Sequence, residues 1–181
     1  MRQTAVGLAV IGVLLIAGML LYIYTGRFNV AATQEHSDLT EWILETTKDA
    51  SVRYHARDIA APDLDDSALV EEGAEHFLED CVLCHGGPGV ERSTIGRGLN
   101  PPAPDLADEV GEWRPAELFW ITRHGLRMTG MPAFGVAEPD AEIWAVTAFL
   151  RRLPTLTAEE FQALTAPPPA DSLPAAPEPE P

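Results

Sequence analysis

Residues 81–89 read CVLCHGGPG and contain the only two cysteines of the 181-residue chain. Cys81 and Cys84 are three positions apart, and His85 follows directly. A structural disulfide across so short a loop stabilises a fold little through chain entropy. A redox-active dithiol is expected beside a βαβ pattern, which this sequence lacks. A zinc site needs two further ligands, and the chain has no second cysteine pair.

A fourth interpretation uses all three residues. The pattern C-x-x-C-H is the attachment signature of a c-type heme. In such a site Cys81 and Cys84 bond covalently to the heme vinyl groups, and His85 is the proximal ligand of the iron. The single motif in this chain therefore predicts one covalently bound heme c.

The second axial ligand of that iron is predicted to be Met131. This residue lies in TGMPAFG, where Pro132 fixes φ and Gly130 and Gly135 permit a tight, non-helical path. A rigid turn of this kind holds a ligand sulfur at one place against the heme face. Met128, the other methionine of the region, is as readily explained as a residue that fills the core.

Histidines are the alternative axial ligands. His36, His55, His76 and His124 are the four outside the motif. His76 is too close to His85 along one helix to reach the opposite heme face. His124 remains the main rival of the methionine, although a contact with a heme propionate or with the end of its helix explains it equally well.

Residues 5–24, AVGLAVIGVLLIAGMLLYIY, contain neither charge nor proline. About 20 such residues are enough for one helix to cross a bilayer, and Tyr22 and Tyr24 suit its interfacial end. The run is longer than the apolar region of an ordinary signal peptide, which favours a retained membrane anchor. The small residues VAA at 30–32 leave cleavage open as the alternative.

Charge is distributed unevenly along the chain. All 28 acidic residues and 10 of the 12 basic ones follow position 32, which gives that part a net charge of −18. So acidic a surface excludes nucleic acid as a partner. It either keeps the protein soluble or guides the docking of a positively charged protein.

The chain divides into four predicted parts. These are an anchor (1–32), a membrane-proximal helical segment (33–62), a heme domain (63–156) and a disordered tail rich in proline, alanine and acidic residues (157–181). Within the heme domain, helical spacing predicts helices over 63–80, 114–125 and 138–153, the last of them ended by Pro154. Five glycines and four prolines exclude regular helix from 86–105. No strand alternation is present, so the fold is predicted to be all-α.

Four segments of the sequence resemble the class I c-type cytochromes: CVLCH, the loop GLNPPAPDL, the turn GMPAF and the final helix IWAVTAFLRRLP. The likeness covers about residues 66–154. It is strongest to the single-heme modules attached to respiratory oxidases and dehydrogenases.

The resemblance implies a helix crossing and a set of site residues. Gly73 and Phe77 would cross the last helix, where Trp144 and Phe149 would pack. The axial methionine of the family maps onto Met131.

The same resemblance implies a hydrogen bond that orients the proximal histidine. In the family, a proline of the loop after the motif offers its carbonyl to that histidine. Here the proline would be Pro101 or Pro102, and a hydrogen bond to its carbonyl oxygen would fix the orientation of the His85 ring.

With both axial positions filled, such a protein transfers single electrons and has no catalytic site or small-molecule substrate. Heme attachment to C-x-x-C-H happens outside the cytoplasmic membrane, so we expect a heme domain in the periplasm of a bacterium, anchored in the inner membrane through residues 5–24. Its partners would be redox proteins in or near the membrane. Two alternatives are the heme subunit of a larger dehydrogenase, oxidase or reductase, and a gas or redox sensor in which Met131 is displaceable.

Overall fold

The computed structural model describes residues 2–165, and all regular structure in that range is helical apart from one isolated bridge between Gly87 and Val90. The all-α prediction is therefore confirmed. The described part of the chain divides into two compact units, with the boundary between Glu35 and His36. The disorder predicted for residues 166–181 lies outside the described residues.

Nine α-helices follow one another in the described part of the chain, with short π- or 3₁₀-helical turns between some of them. They are α1 Arg2–Tyr24, α2 Asp38–Ala56, α3 Ser67–His76, α4 Val82–His85, α5 Thr94–Arg97, α6 Leu106–Glu109, α7 Pro115–His124, α8 Asp140–Arg152 and α9 Ala158–Leu164.

Helix α1 contains the apolar run predicted to be a membrane anchor. It has 23 residues, its mean hydropathy reaches 2.7, and none of its side chains is buried. In residues 2–165 it is the one helix long and apolar enough to cross a membrane. A signal sequence near the N-terminus passes the same test of length and hydropathy, so these two properties make α1 a candidate anchor and no more.

The membrane-proximal segment contains one helix, α2. Ser37 caps its N-terminus by accepting a hydrogen bond from the Thr40 amide. Only the C-terminal half of α2 packs on the heme domain, where Val52 and Ala56 are fully buried. The ring of His55 stacks on Trp120 of α7, with 5.6 Å between ring centroids.

The core forms where α3 crosses α8. Gly73 permits this crossing, because a Cβ at that position would lie 1.9 Å from the Ala145 carbonyl oxygen. One turn further along, Phe77 packs on Phe149 with ring centroids 5.1 Å apart, and both rings are fully buried. The resemblance implied that Gly73 and Phe77 contact the last long helix. This contact is confirmed, and Phe149 takes part in it.

Trp144 has a different partner from the one implied by the resemblance. Its ring stacks on Phe119 of α7, 4.0 Å between centroids and 12° between planes. Trp144 and Phe149 are five positions apart on α8, so they point to different sides of the helix. One side meets α3 and the other meets α7.

Helix α9 corrects the predicted start of the tail. Thr157 and Glu160 form a reciprocal capping box that begins the helix. Phe161 is 1% exposed and lies edge-on to Phe77, 6.0 Å between centroids. The heme domain therefore extends to at least Leu164, and the tail prediction is wrong for residues 157–165.

Candidate functional site

The C-x-x-C-H motif is held at the end of a nearly continuous helical path. α3 passes into a π-helical turn, Phe77–Cys81, and then into the single turn of α4, which carries Cys84 and His85. Gly86 ends that turn with a φ of 69°, and a Cβ there would lie 2.6 Å from the Val90 carbonyl oxygen. Only glycine fits at this helix end, so the chain leaves the helix directly after His85.

The imidazole of His85 is oriented by one backbone hydrogen bond. Its Nδ1 lies 3.0 Å from the carbonyl oxygen of Pro104. A ring that donates through Nδ1 presents Nε2 as the free ligand atom. Burial lowers the pKa of His85, against the opposing effect of the Pro104 bond, so the ring is neutral near pH 7, as a metal ligand must be.

The acceptor of this bond is Pro104, so the assignment to Pro101 or Pro102 was wrong. Pro104 directly precedes Asp105, whose carboxylate caps α6 through the Ala107 amide. The cap fixes the backbone at this end of the loop. Pro101 and Pro102 lie further back, before the buried Ala103.

The two cysteines are half-buried and are not joined by a disulfide. Burial raises the pKa of the Cys81 thiol to about 12, with further contributions from Asp80 and Cys84. A catalytic dithiol needs the opposite, an attacking thiol of lowered pKa. The site therefore suits a covalent attachment point better than a thiol–disulfide exchange centre.

A short helix, α5, packs against the motif. It was not predicted, because the glycines and prolines of 86–105 excluded regular helix. Ser93 caps it by accepting from the Gly96 amide, 3.1 Å. A Cβ on Gly96 would lie 2.8 Å from the carbonyl oxygens of both Leu83 and Cys84, so α5 touches the backbone of the motif itself.

The loop that carries Met131 begins at the end of α7. Gly125 has a φ of 62°, and a Cβ there would lie 2.6 Å from the Pro132 carbonyl carbon. The Leu126 amide donates to the Met131 carbonyl oxygen, 3.3 Å. The loop from 125 to 132 is therefore closed on itself by backbone contact.

Thr129 clamps this loop from inside. Its hydroxyl donates to the Leu126 carbonyl oxygen at 2.7 Å and accepts from the Met131 amide at 3.1 Å. One side chain thus ties both ends of the turn that precedes the methionine.

The two methionines of this loop differ in exposure: Met131 is half-buried, whereas Met128 is 76% exposed and has a φ of 64°.

The four remaining histidines lie in other surroundings. His36 is exposed, and His76 faces Glu142 at 3.8 Å. His124 contacts the ring of Trp120, 5.0 Å between centroids, on the same indole that stacks on His55. Burial and the adjacent Arg123 lower the pKa of His124. Trp120 therefore contacts two imidazoles, those of His55 and His124.

Arginines near the site are largely paired with protein groups. Arg123 binds Asp140 at 2.7 Å, and Arg114 binds the buried carboxylate of Glu117 at 2.8 Å. Arg97 donates to the Arg92 carbonyl oxygen at 2.7 Å. The first contact joins α7 to α8, the second lies in the first turn of α7, and the third lies in the segment that follows the motif.

Sequence reasoning missed three residues that shape the site: Pro104, Thr129 and Phe161. Asp105 followed by L-A-D-E is a recognisable N-cap, and it would have indicated that the carbonyl just before it is the fixed one. A threonine two positions before the methionine is a common turn residue, but its double hydrogen bond is visible only in three dimensions.

The helical fold, the unpaired C-x-x-C-H cysteines and the oriented histidine together define a c-type cytochrome domain. Residues 68–150 match the model of a family described as cytochrome c oxidase, cbb3-type, subunit III. The matched segment begins in α3 and ends in α8, so it contains the whole site. Residues 68–150 are thus a c-type cytochrome domain, and this domain implies covalently bound heme c and a role in electron transfer.

Proposed function

We propose that this protein is a membrane-anchored cytochrome with one heme c, which carries single electrons between redox proteins on the periplasmic side of a bacterial inner membrane. The observation that carries the proposal is the geometry of His85. The Nδ1 of this residue is held by Pro104, at a motif whose two thiols are unpaired and half-buried.

The residues present fit a heme c. Cys81 and Cys84 would hold the group through two thioether bonds, and His85 and Met131 would bind its iron. Iron ligated in this way supplies a one-electron Fe(III)/Fe(II) couple. With both side chains bound, the iron would have no position left for a substrate.

The chain's own residues would keep that ligation fixed. Pro104 holds the histidine ring in one orientation. Thr129 and the backbone bond from Leu126 close the loop that presents the methionine. A ligand set that does not rearrange when the iron changes oxidation state favours rapid electron transfer, because little reorganisation accompanies each step.

A pair of substitutions tests the assignment of the axial ligand. Met131→His should keep the covalent heme but lower the reduction potential, because bis-histidine ligation gives a lower potential than Met/His ligation. It should also abolish the weak near-infrared sulfur-to-iron charge-transfer band. Met128→His is the matched control. If the control lowers the potential and Met131→His does not, the assignment is wrong.

A subunit of a larger oxidoreductase is the second candidate, and the oxidase-subunit description of the matched family favours it. The two candidates differ in what remains bound after gentle solubilisation. A free carrier should migrate on a native gel at the size of its own detergent micelle. A subunit should migrate with a larger redox complex that loses activity when this chain is removed.

A further inference from the structure

Three titratable side chains meet beside the crossing of α3 and α8. Gly73 of α3 packs against the Ala145 carbonyl of α8, which brings the neighbouring turns of the two helices together. On these turns the Nε2 of His76 lies 3.8 Å from the carboxylate of Glu142. Glu138, in the turn before α8, shares a hydrogen bond with Glu142. His76, Glu142 and Glu138 therefore form one connected group, here called the acid–imidazole cluster.

The acid–imidazole cluster lines a small cavity next to the heme attachment point. The lining also includes Cys81 and Asp80, from the turn that leads into the motif, and Thr122 of α7. The cavity has a volume of about 10 Å³, which is room for about one water molecule. Arg123, the residue after Thr122, is paired with Asp140 at 2.7 Å, so its charge is already balanced. The rest of the lining is apolar: Phe134, Ile143 and Val146.

The contact between Glu138 and Glu142 requires a proton. An ionised carboxylate only accepts hydrogen bonds, so two carboxyl groups bond to each other only when one of them is protonated. The hydrogen bond with Glu142 and the charge of that residue raise the pKa of Glu138, against the opposing charge of His76. The pair therefore binds its shared proton at a higher pH than an ordinary glutamate does, and this proton belongs to the pair rather than to either residue.

The position of the cavity links this proton to the redox state of the iron. In the proposed function Cys81 holds the heme covalently, so the acid–imidazole cluster lies beside the redox centre. Reduction removes one positive charge from the iron, and a bound proton adds one positive charge to the cluster. A protonated cluster therefore favours the reduced state. Because such coupling is reciprocal, reduction also makes the cluster bind its proton more tightly.

We propose that the acid–imidazole cluster makes the reduction potential of this protein depend on pH, because it binds a proton more tightly when the iron is reduced. On reduction, a donor redox protein gives one electron to Fe(III), and one proton from water binds the carboxylate pair. On oxidation the electron passes to an acceptor redox protein, and the proton returns to water. This inference rests on the proposed function, since it needs heme at Cys81.

The reduction potential should fall as pH rises. At low pH the carboxylate pair is protonated in both oxidation states, and at high pH it is ionised in both, so the potential changes only between these limits. That range lies above the ordinary glutamate value of 4.5, because the pKa of Glu138 is raised. We expect the proton affinity of the reduced form to be about tenfold higher, which corresponds to a total fall of about 59 mV for one electron.

Redox titrations of the full chain in mild detergent test the proposal. The potential is read from the absorption spectrum at a series of pH values between about 4.5 and about 8, at fixed ionic strength. Glu142→Gln removes the carboxylate that contacts both other groups, and Glu138→Gln removes the one that shares its proton. Each should reduce the fall in potential to less than about half of the wild-type fall. Glu72→Gln is the matched control, because it removes the same charge from an exposed position of α3, and it should leave the fall unchanged.

The outcomes separate this inference from the function on which it rests. If the wild-type chain loses its heme in denaturant, the proposed function fails and the inference fails with it. If the heme is retained but the wild-type potential does not change with pH, the inference alone is refuted. It is also refuted if both glutamine variants show the full wild-type fall, or if Glu72→Gln reduces the fall as much as they do.

Discussion

Replacing Thr129 with valine should loosen the methionine loop without changing the shape of the side chain much. The substitution removes a bond to the Leu126 carbonyl oxygen, 2.7 Å, and a bond from the Met131 amide, 3.1 Å. A protein hydrogen bond of this kind contributes about 0.5–1.5 kcal/mol net. For two half-buried bonds we expect a loss of about 2 kcal/mol in the closed form of the loop.

In the proposed ligation of the iron by Met131, that loss has a measurable consequence at the iron. Because 1.4 kcal/mol corresponds to about a tenfold change in an equilibrium constant, the population with a detached methionine should rise roughly 10- to 30-fold. An added ligand binds only this open form, so its apparent affinity rises by the same factor. Titration of the ferric protein with imidazole, followed by its absorption spectrum, measures the change.

Two controls make this result specific. Thr155→Val removes a hydroxyl that also donates to the carbonyl three residues earlier, Arg152, at 2.8 Å, but away from the site. It should leave imidazole affinity unchanged. Thr129→Ser keeps the hydroxyl and should retain most of the wild-type behaviour. If Thr129→Val binds imidazole as weakly as the wild type, or if Thr129→Ser is equally impaired, the clamp does not hold the methionine.

Three further predictions follow from packing and charge. Phe161→Ala should cost about 3–5 kcal/mol of unfolding free energy in urea titrations, because a buried ring is lost from the core, whereas the exposed Gln162→Ala should cost almost nothing. Gly73→Ala should lower the free energy of unfolding by at least about 1–3 kcal/mol, because its Cβ would lie 1.9 Å from the Ala145 carbonyl oxygen. Gly111→Ala is the matched control, since Gly111 has open space around it. Equal effects of the two substitutions would refute the close crossing of α3 and α8. Electron transfer to a basic soluble partner should slow as ionic strength rises, because the Debye length falls to about 8 Å at 0.15 M; rates independent of salt with both a basic and an acidic partner would show that the acidic surface only aids solubility.

Local sequence signals predicted the helices that have clear boundaries. Pro115 and Gly125 mark the two ends of α7, and α7 runs from Pro115 to His124. The apolar spacing of α8 is equally clear, although the helix proper begins at Asp140, after Pro139. Both helices were predictable because proline and glycine act on the backbone directly and need no tertiary contact.

Features that depend on distant contacts were not predictable in the same way. Helix α9 begins at a T-x-x-E capping box that is readable in the sequence, but the burial of Phe161 against two other rings is a distant contact that is not. Pro104 was missed because three prolines precede Asp105 within four residues, and the sequence does not show which carbonyl points at His85. The pairing of Trp144 with Phe119 also required the relative placement of two helices.

Covalent attachment of heme at Cys81 and Cys84 is the central claim of this account, and intact mass after denaturation tests it most directly. The wild-type chain should retain the mass of one heme in denaturant. Cys81→Ala and Cys84→Ala should each weaken that retention, and the double substitution should abolish it. A double variant that still carried heme through denaturation would contradict the account.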